Sequence, residues 1–213
     1  MEKVIYCISG LGAGEKIFSN LRLGGYRLQH IPWVQPQENE PMAAYASRMI
    51  ASIRHKDPML LGVSFGGMMG IEIAKQLSLK KLFLISSIKS SDELPVWMKA
   101  AGRLRLDKVI HVQSLPFMEM IGNKRLGVST EEEKQMVKVY RQSADPVYVN
   151  WAVHQVINWK NKWYPEYAVH IHSDKDSVFP LKNVKPHHTI NGGTHMMIFN
   201  RASEISDLIL SEI

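Results

Sequence analysis

With a single cysteine, Cys7, in 213 residues, the chain cannot form an internal disulfide, so the fold must rest on its core alone. That usage fits a reducing compartment, and a cytoplasmic location is the expectation. No apolar run approaches the roughly 20 residues that a membrane-spanning helix needs. The N-terminal run, 4–9, is too short, and no small-residue cleavage site follows it. It reads as a buried strand, with no membrane partner expected. Internal repeats, low-complexity tracts and Gly/Ser linkers are also missing, so a single domain over 1–213 is expected. Acidic residues are the minority, 20 against 26 Lys and Arg, which leaves a net charge of +6. The basic residues are scattered, however. Their densest cluster, Arg103-Leu104-Arg105-Leu106-Asp107-Lys108, is short, interrupted by leucine, and reads as a solvated helix face. No nucleic-acid partner is inferred from it.

Hydrophobic residues make up 45% of the chain, and their pattern changes along it. Strands are predicted at 4–9, 27–34, 59–63 and 82–86, the second stopped by Pro36. Helices are predicted at 41–55 and 66–77 between them. Strand alternating with helix at this spacing argues for βαβ units and a parallel sheet. Apolar runs without alternation fit strands covered on both faces. From about 91 to 162 no strand is predicted, and 95–106, 130–143 and 146–160 look helical. Four of the five tryptophans (Trp97, Trp151, Trp159, Trp163) lie in or beside this stretch, with Met98, Met118, Met120 and Met136. Strands resume at 168–172 and 187–190, and an amphipathic helix, 202–210, follows.

The strongest chemical signal is Gly62-Val63-Ser64-Phe65-Gly66, a Gly-x-Ser-x-Gly pattern between an apolar strand and a helix. A serine there sits in a strained backbone conformation that projects its Oγ. Residues two before and two after it crowd the turn, and only glycine leaves room. The helix begins at the serine, so its free N–H groups and positive dipole end face a developing oxyanion. Gly67, Gly70 and Ala74 form a small-residue stripe that lets the helix lie close on the sheet. The five-residue pattern alone arises readily by chance, and the alternative is a serine that merely caps a helix. Its strand–helix setting and the partners downstream make it a nucleophile.

A serine hydroxyl needs a base to take its proton. His195 is the choice among nine histidines, because it lies in the loop after the last strand, at the carboxyl edge where Ser64 also sits. His187 and His188 start that strand, at the opposite edge. His170 and His172 share a strand face but lack a third ligand for a metal, so no metal site is assigned. The base needs an acceptor of its own. The loop after 168–172 offers Asp174 and Asp176, and spacing does not choose between them. For the oxyanion, the Phe65 N–H is one donor. The other is the Leu11 N–H, in the glycine loop Ser9-Gly10-Leu11-Gly12-Ala13-Gly14. That loop is Gly-x-Gly-x-Gly, not Gly-x-Gly-x-x-Gly, and no acidic residue ends the second strand, which argues against a dinucleotide site.

With these elements in this order, the chain resembles the α/β-hydrolase superfamily. The likeness rests on the glycine loop, the elbow 62–66, the acid loop 173–180 and the loop 193–195. It implies an α/β-hydrolase fold reduced to about six mostly parallel strands flanked by helices, since sequence for the family's first two strands is lacking. It also implies a helical cap inserted at about 91–162, and it favours Asp176 as the acid. Catalysis would then use Ser64, His195 and Asp176, without metal or organic cofactor. Many members have His-Gly where this chain has Ser9-Gly10.

The cap would serve as lid and pocket wall, and its Trp and Met content suggests an apolar pocket. Phe65, Met196, Trp97 and Trp151 are the expected substrate contacts. The expected activity is hydrolysis of an ester or thioester of a small, mainly apolar acyl substrate. The alternatives are a lyase using the same triad for acid–base chemistry, and a ligand-binding receptor on this scaffold. The sequence leaves the oligomeric state open.

Overall fold

The computed structural model describes residues 3–105 and 122–213. Met118, Met120 and the end of the helix expected at 95–106 lie outside the described residues. Six strands form one parallel sheet: β1 (Lys3–Ile8), β2 (Tyr26–His30), β3 (Met59–Val63), β4 (Lys81–Ile85), β5 (Ala168–Ser173) and β6 (His188–Ile190). Their spatial order is β2-β1-β3-β4-β5-β6. β1, β3, β4 and β5 are almost wholly buried, as uninterrupted apolar runs require when helices cover both faces.

Successive strand residues alternate between two core layers. Tyr6, Ile8, Leu60, Leu82 and Leu84 face one layer with α1 (Met42–Ile50) and α2 (Phe65–Ala74). Ile5, Cys7, Leu61, Phe83 and Ile85 face the other. That second layer is closed by α6 (Met197–Asn200) and α7 (Ala202–Ser211). The small-residue stripe of α2 acts as expected. A Cβ on Gly70 would lie 3.0 Å from Leu82 Cδ1 and 3.2 Å from Leu60 Cδ2, so the helix rests directly on β3 and β4.

Between β4 and β5 the described residues hold helices and no strand: α3 (Val96–Arg103), residues 122–126, α4 (Glu131–Ser143) and α5 (Pro146–Ile157). α3 and α5 meet where Gly102 comes so close that a Cβ would lie 2.4 Å from the Ile157 carbonyl oxygen. The segment is anchored at its far end by Trp159, whose Nε1 donates to Glu72 of α2 at 2.9 Å. At the start of α4, Thr130 and Glu133 form a capping box. Glu133 is buried and accepts from the Ser129 N–H (2.7 Å) and the Thr130 N–H (3.0 Å). Its other oxygen accepts from Asn200 Nδ2 at 2.7 Å. Just upstream, Gly127 packs so tightly on Thr194 that a Cβ would lie 2.3 Å from the Thr194 Cβ.

One strand end departs from expectation. β2 stops at His30 rather than continuing to 34. Ile31 makes the last backbone bond toward β1, donating to the Cys7 carbonyl at 2.9 Å. Pro32 then has no N–H to continue the ladder. Residues 31–34 therefore leave the sheet four residues before Pro36, and Trp33 lies in the loop beyond the strand's carboxyl end.

Candidate active site

β3 ends at Val63 and α2 begins at Phe65, so Ser64 alone makes the turn between them. Its φ of 53° and ψ of −119° lie in a region that L-residues rarely adopt. Hydrogen bonds to its backbone hold it there. Its N–H donates to the Ile85 carbonyl at 2.9 Å, and its carbonyl accepts from the Gly67 N–H (2.9 Å) and from Ser87 Oγ (2.7 Å). The surrounding glycines leave no room for a side chain. A Cβ on Gly62 would lie 2.4 Å from the Gly66 carbonyl oxygen, and one on Gly66 would lie 2.3 Å from the Ile8 carbonyl oxygen. These obstacles are backbone and cannot swing aside. Gly66→Ala is therefore expected to cost at least about 3 kcal/mol of stability, beyond ordinary overpacking, read from denaturant unfolding midpoints.

His195 lies in the loop between β6 and α6, as the sequence suggests. Its Nε2 is 2.9 Å from Ser64 Oγ, and its Nδ1 is 2.7 Å from Asp176 Oδ2. Asp176 is buried, and its Oδ1 accepts from the Val178 and Phe179 N–H groups at 2.8 Å each. Burial pushes the Asp176 carboxyl up, but the charges of His195 and His172 and its hydrogen bonds outweigh this and hold it below its ordinary value. Asp174, the other candidate, accepts instead from the Gly192 N–H at 2.7 Å and so braces the loop that carries His195. His172 closes the back of the acid loop. Burial lowers its pKa, and its Nε2–H donates to the Phe179 carbonyl at 2.7 Å. His170 stands 5.2 Å from it, ring to ring, on the same strand face.

The glycine loop reaches the nucleophile. A Cβ on Gly10 would lie 3.5 Å from Ser64 Cβ, and half-buried Leu11 follows directly. Phe65 occupies the first position of α2, where an N–H has no intrahelical acceptor. Ser9, which stands where many members of the superfamily have histidine, is fully buried and donates to the Ala13 carbonyl at 2.6 Å. It is therefore a brace for this turn.

Of the four expected substrate contacts, the structure brings two together. Phe65 and Trp151 meet edge to face at 6.0 Å, in an aromatic cluster with Trp33, Tyr45 and Tyr148. Phe65 itself is fully buried there, and Met196 is buried in the opposite core layer. Trp97 is half-exposed under Arg125 and lines an open cleft with Lys124 and Ser177. Ser87, Trp33 and Tyr148 also lie at this site, outside the expected residues. For Trp33 the signal was Pro32, which ends the strand and puts the next residues at the sheet's carboxyl edge. Ser87 and Tyr148 carry no comparable signal.

Solved structures share this architecture. The chain is similar to a thermophilic esterase from Thermogutta terrifontis, with 16% identity and a TM-score of 0.73 over 98% of this chain and 88% of that one. It is similar to a hydrolase from Pseudomonas aeruginosa PA01, with 12% identity and a TM-score of 0.76 over 99% and 89%. It is similar also to an epoxide hydrolase from Bacillus megaterium, with 9% identity and a TM-score of 0.72 over 100% and 93%. No protein-family model matches the chain, and no curated protein matches it. The chain has the α/β-hydrolase fold. An esterase and an epoxide hydrolase both use that fold, so the bond acted on has to be argued from the site.

Proposed function

We propose that this protein is a serine hydrolase that cleaves an ester or thioester of a small, mainly apolar acyl substrate through an acyl-enzyme on Ser64. The observation that carries this reading is the unbroken relay from Asp176 through His195 to Ser64, with spans of 2.7 Å and 2.9 Å. In this reading His195 takes the Ser64 proton as Oγ attacks the carbonyl carbon. Asp176 holds the imidazole in the tautomer with Nδ1–H and stabilises the imidazolium that forms. The Leu11 and Phe65 N–H groups receive the oxyanion. His195 then protonates the leaving alcohol or thiol, and water, activated by the same imidazole, releases the acid. The apolar character assigned to the acyl group is supported by Trp151, which is half-buried and packs on the fully buried Phe65 beside the nucleophile turn.

The test joins labelling to turnover. A fluorophosphonate is expected to add covalently to the peptide carrying Ser64, and a graded series of acyl esters and thioesters is expected to be hydrolysed, with short apolar acyl groups preferred. Labelling without turnover of any acyl substrate would favour a lyase or receptor. Absence of labelling on folded protein would remove the nucleophile role.

A further inference from the structure

The Gly10–Leu11 peptide is tied down at its carbonyl edge. The Gly10 carbonyl accepts from the Ala13 N–H at 3.0 Å and from Trp33 Nε1 at 3.2 Å. No cis peptide occurs among the described residues, and in a trans peptide the carbonyl and the following N–H point to opposite edges of the same plane. Holding the Gly10 carbonyl toward Trp33 therefore turns the Leu11 N–H away from Trp33. Trp33 Nε1 also lies 3.1 Å from Ser9 Oγ, whose own proton goes to the Ala13 carbonyl. The indole thus contacts the start of the turn at two points. Its ring stacks on Phe65, with centroids 5.1 Å apart and planes 21° from parallel. One side chain, from a loop remote in sequence, touches the turn that presents the Leu11 N–H and the residue that presents the Phe65 N–H.

We propose that Trp33 is the positioning residue of the oxyanion hole, setting the plane of the Gly10–Leu11 peptide and seating Phe65 beside it. The proposal rests on the serine-hydrolase reading above. Without the indole N–H, the Ala13 bond still closes the turn, but the peptide can rock about its two flanking bonds. An oxyanion donor contributes only while it is held on the position the charge will occupy. Rocking therefore weakens transition-state binding and leaves ground-state binding nearly unchanged.

Trp33→Phe keeps an aromatic ring against Phe65 and deletes the N–H. Its kinetics on a short p-nitrophenyl ester, corrected for active sites by fluorophosphonate titration, are expected to show kcat lowered roughly tenfold with KM within about twofold. Affinity for a boronic acid, which forms a tetrahedral adduct on the serine, should fall by the same factor as kcat. A merely structural loss would lower the number of titratable sites and leave both per-site values alone. Should Trp33→Phe fail to fold, β-(3-benzothienyl)alanine placed at position 33 keeps the indole shape and stack without the N–H, and the same two values are read. Unchanged per-site kcat and unchanged boronate affinity in the folded variant would overturn the role of Trp33 while leaving the hydrolase reading intact. Absence of Ser64-dependent hydrolysis in the unmodified protein would instead sink the hydrolase reading, and this proposal with it.

Discussion

Replacing Ser64 with alanine is expected to lower kcat by about 10⁴-fold or more and to abolish fluorophosphonate labelling. The change removes the attacking oxygen and nothing else of substance. Ser64 is held through its backbone, by the Ile85 carbonyl, the Gly67 N–H and the Ser87 hydroxyl, and none of these bonds uses its side chain. The variant should therefore fold and bind substrate with little change. Undiminished hydrolysis in Ser64→Ala would end the assignment. A second variant isolates the strain. At a φ of 53°, alanine keeps the unfavourable backbone of the native turn whereas glycine accepts it. Ser64→Gly should then unfold later than Ser64→Ala, by about 1 kcal/mol. Equal midpoints would show that the turn stores no strain.

Asp176→Asn is expected to lower kcat by about 10³ to 10⁴-fold, because an amide can donate to Nδ1 and favours the wrong tautomer of His195. Asp174→Asn should cost far less, since its contact is with the Gly192 N–H and an amide oxygen still accepts that bond. A larger loss at Asp174 would reverse the assignment. Asp176 can also be followed in acid. The folded pKa of Asp176 is below its unfolded value of 3.8. The stability it contributes is therefore complete above that value and is lost as pH falls through the lower folded pKa. Thermal unfolding of Asp176→Asn should be less steeply pH-dependent than that of the native protein below about pH 4. Identical acid limbs would mean that the carboxylate is not held as its four partners imply.

Much of this was legible in the sequence because burial and backbone geometry leave coarse marks. Strands covered on both faces must be continuous apolar runs, and β1, β3, β4 and β5 stand within a residue or two of where such runs lie. Catalytic residues on a parallel sheet must gather at one edge, so the loops after β3, β5 and β6 pointed to Ser64, the Asp174/Asp176 pair and His195. What the sequence did not reveal depends on which side chain reaches a backbone group across the fold. Asp174 and Asp176 both bond the loops of the site, and only the direction of each carboxylate separates the brace from the partner of His195. Trp33 was obscured by extending β2 past Pro32, which took a residue of the site for part of a strand. Ser87 holds the Ser64 carbonyl from the end of a neighbouring strand, a contact that no local pattern announces. The four-residue helix α6 is too short to leave a period.

The packing of Gly127 on Thr194 and the bond from Asn200 to Glu133 also bear on how a substrate would enter. Thr194 is the immediate neighbour of His195, and Asn200 ends the short helix that follows it. The stretch leading into α4 and the loop carrying His195 are therefore packed and hydrogen-bonded to each other. Any opening of the helices over Ser64 either pivots outside residues 127–133 or carries His195 along, unclasping it from Ser64. In the first case the base stays armed with the entrance open; in the second, the histidine is out of reach of the serine until the entrance shuts.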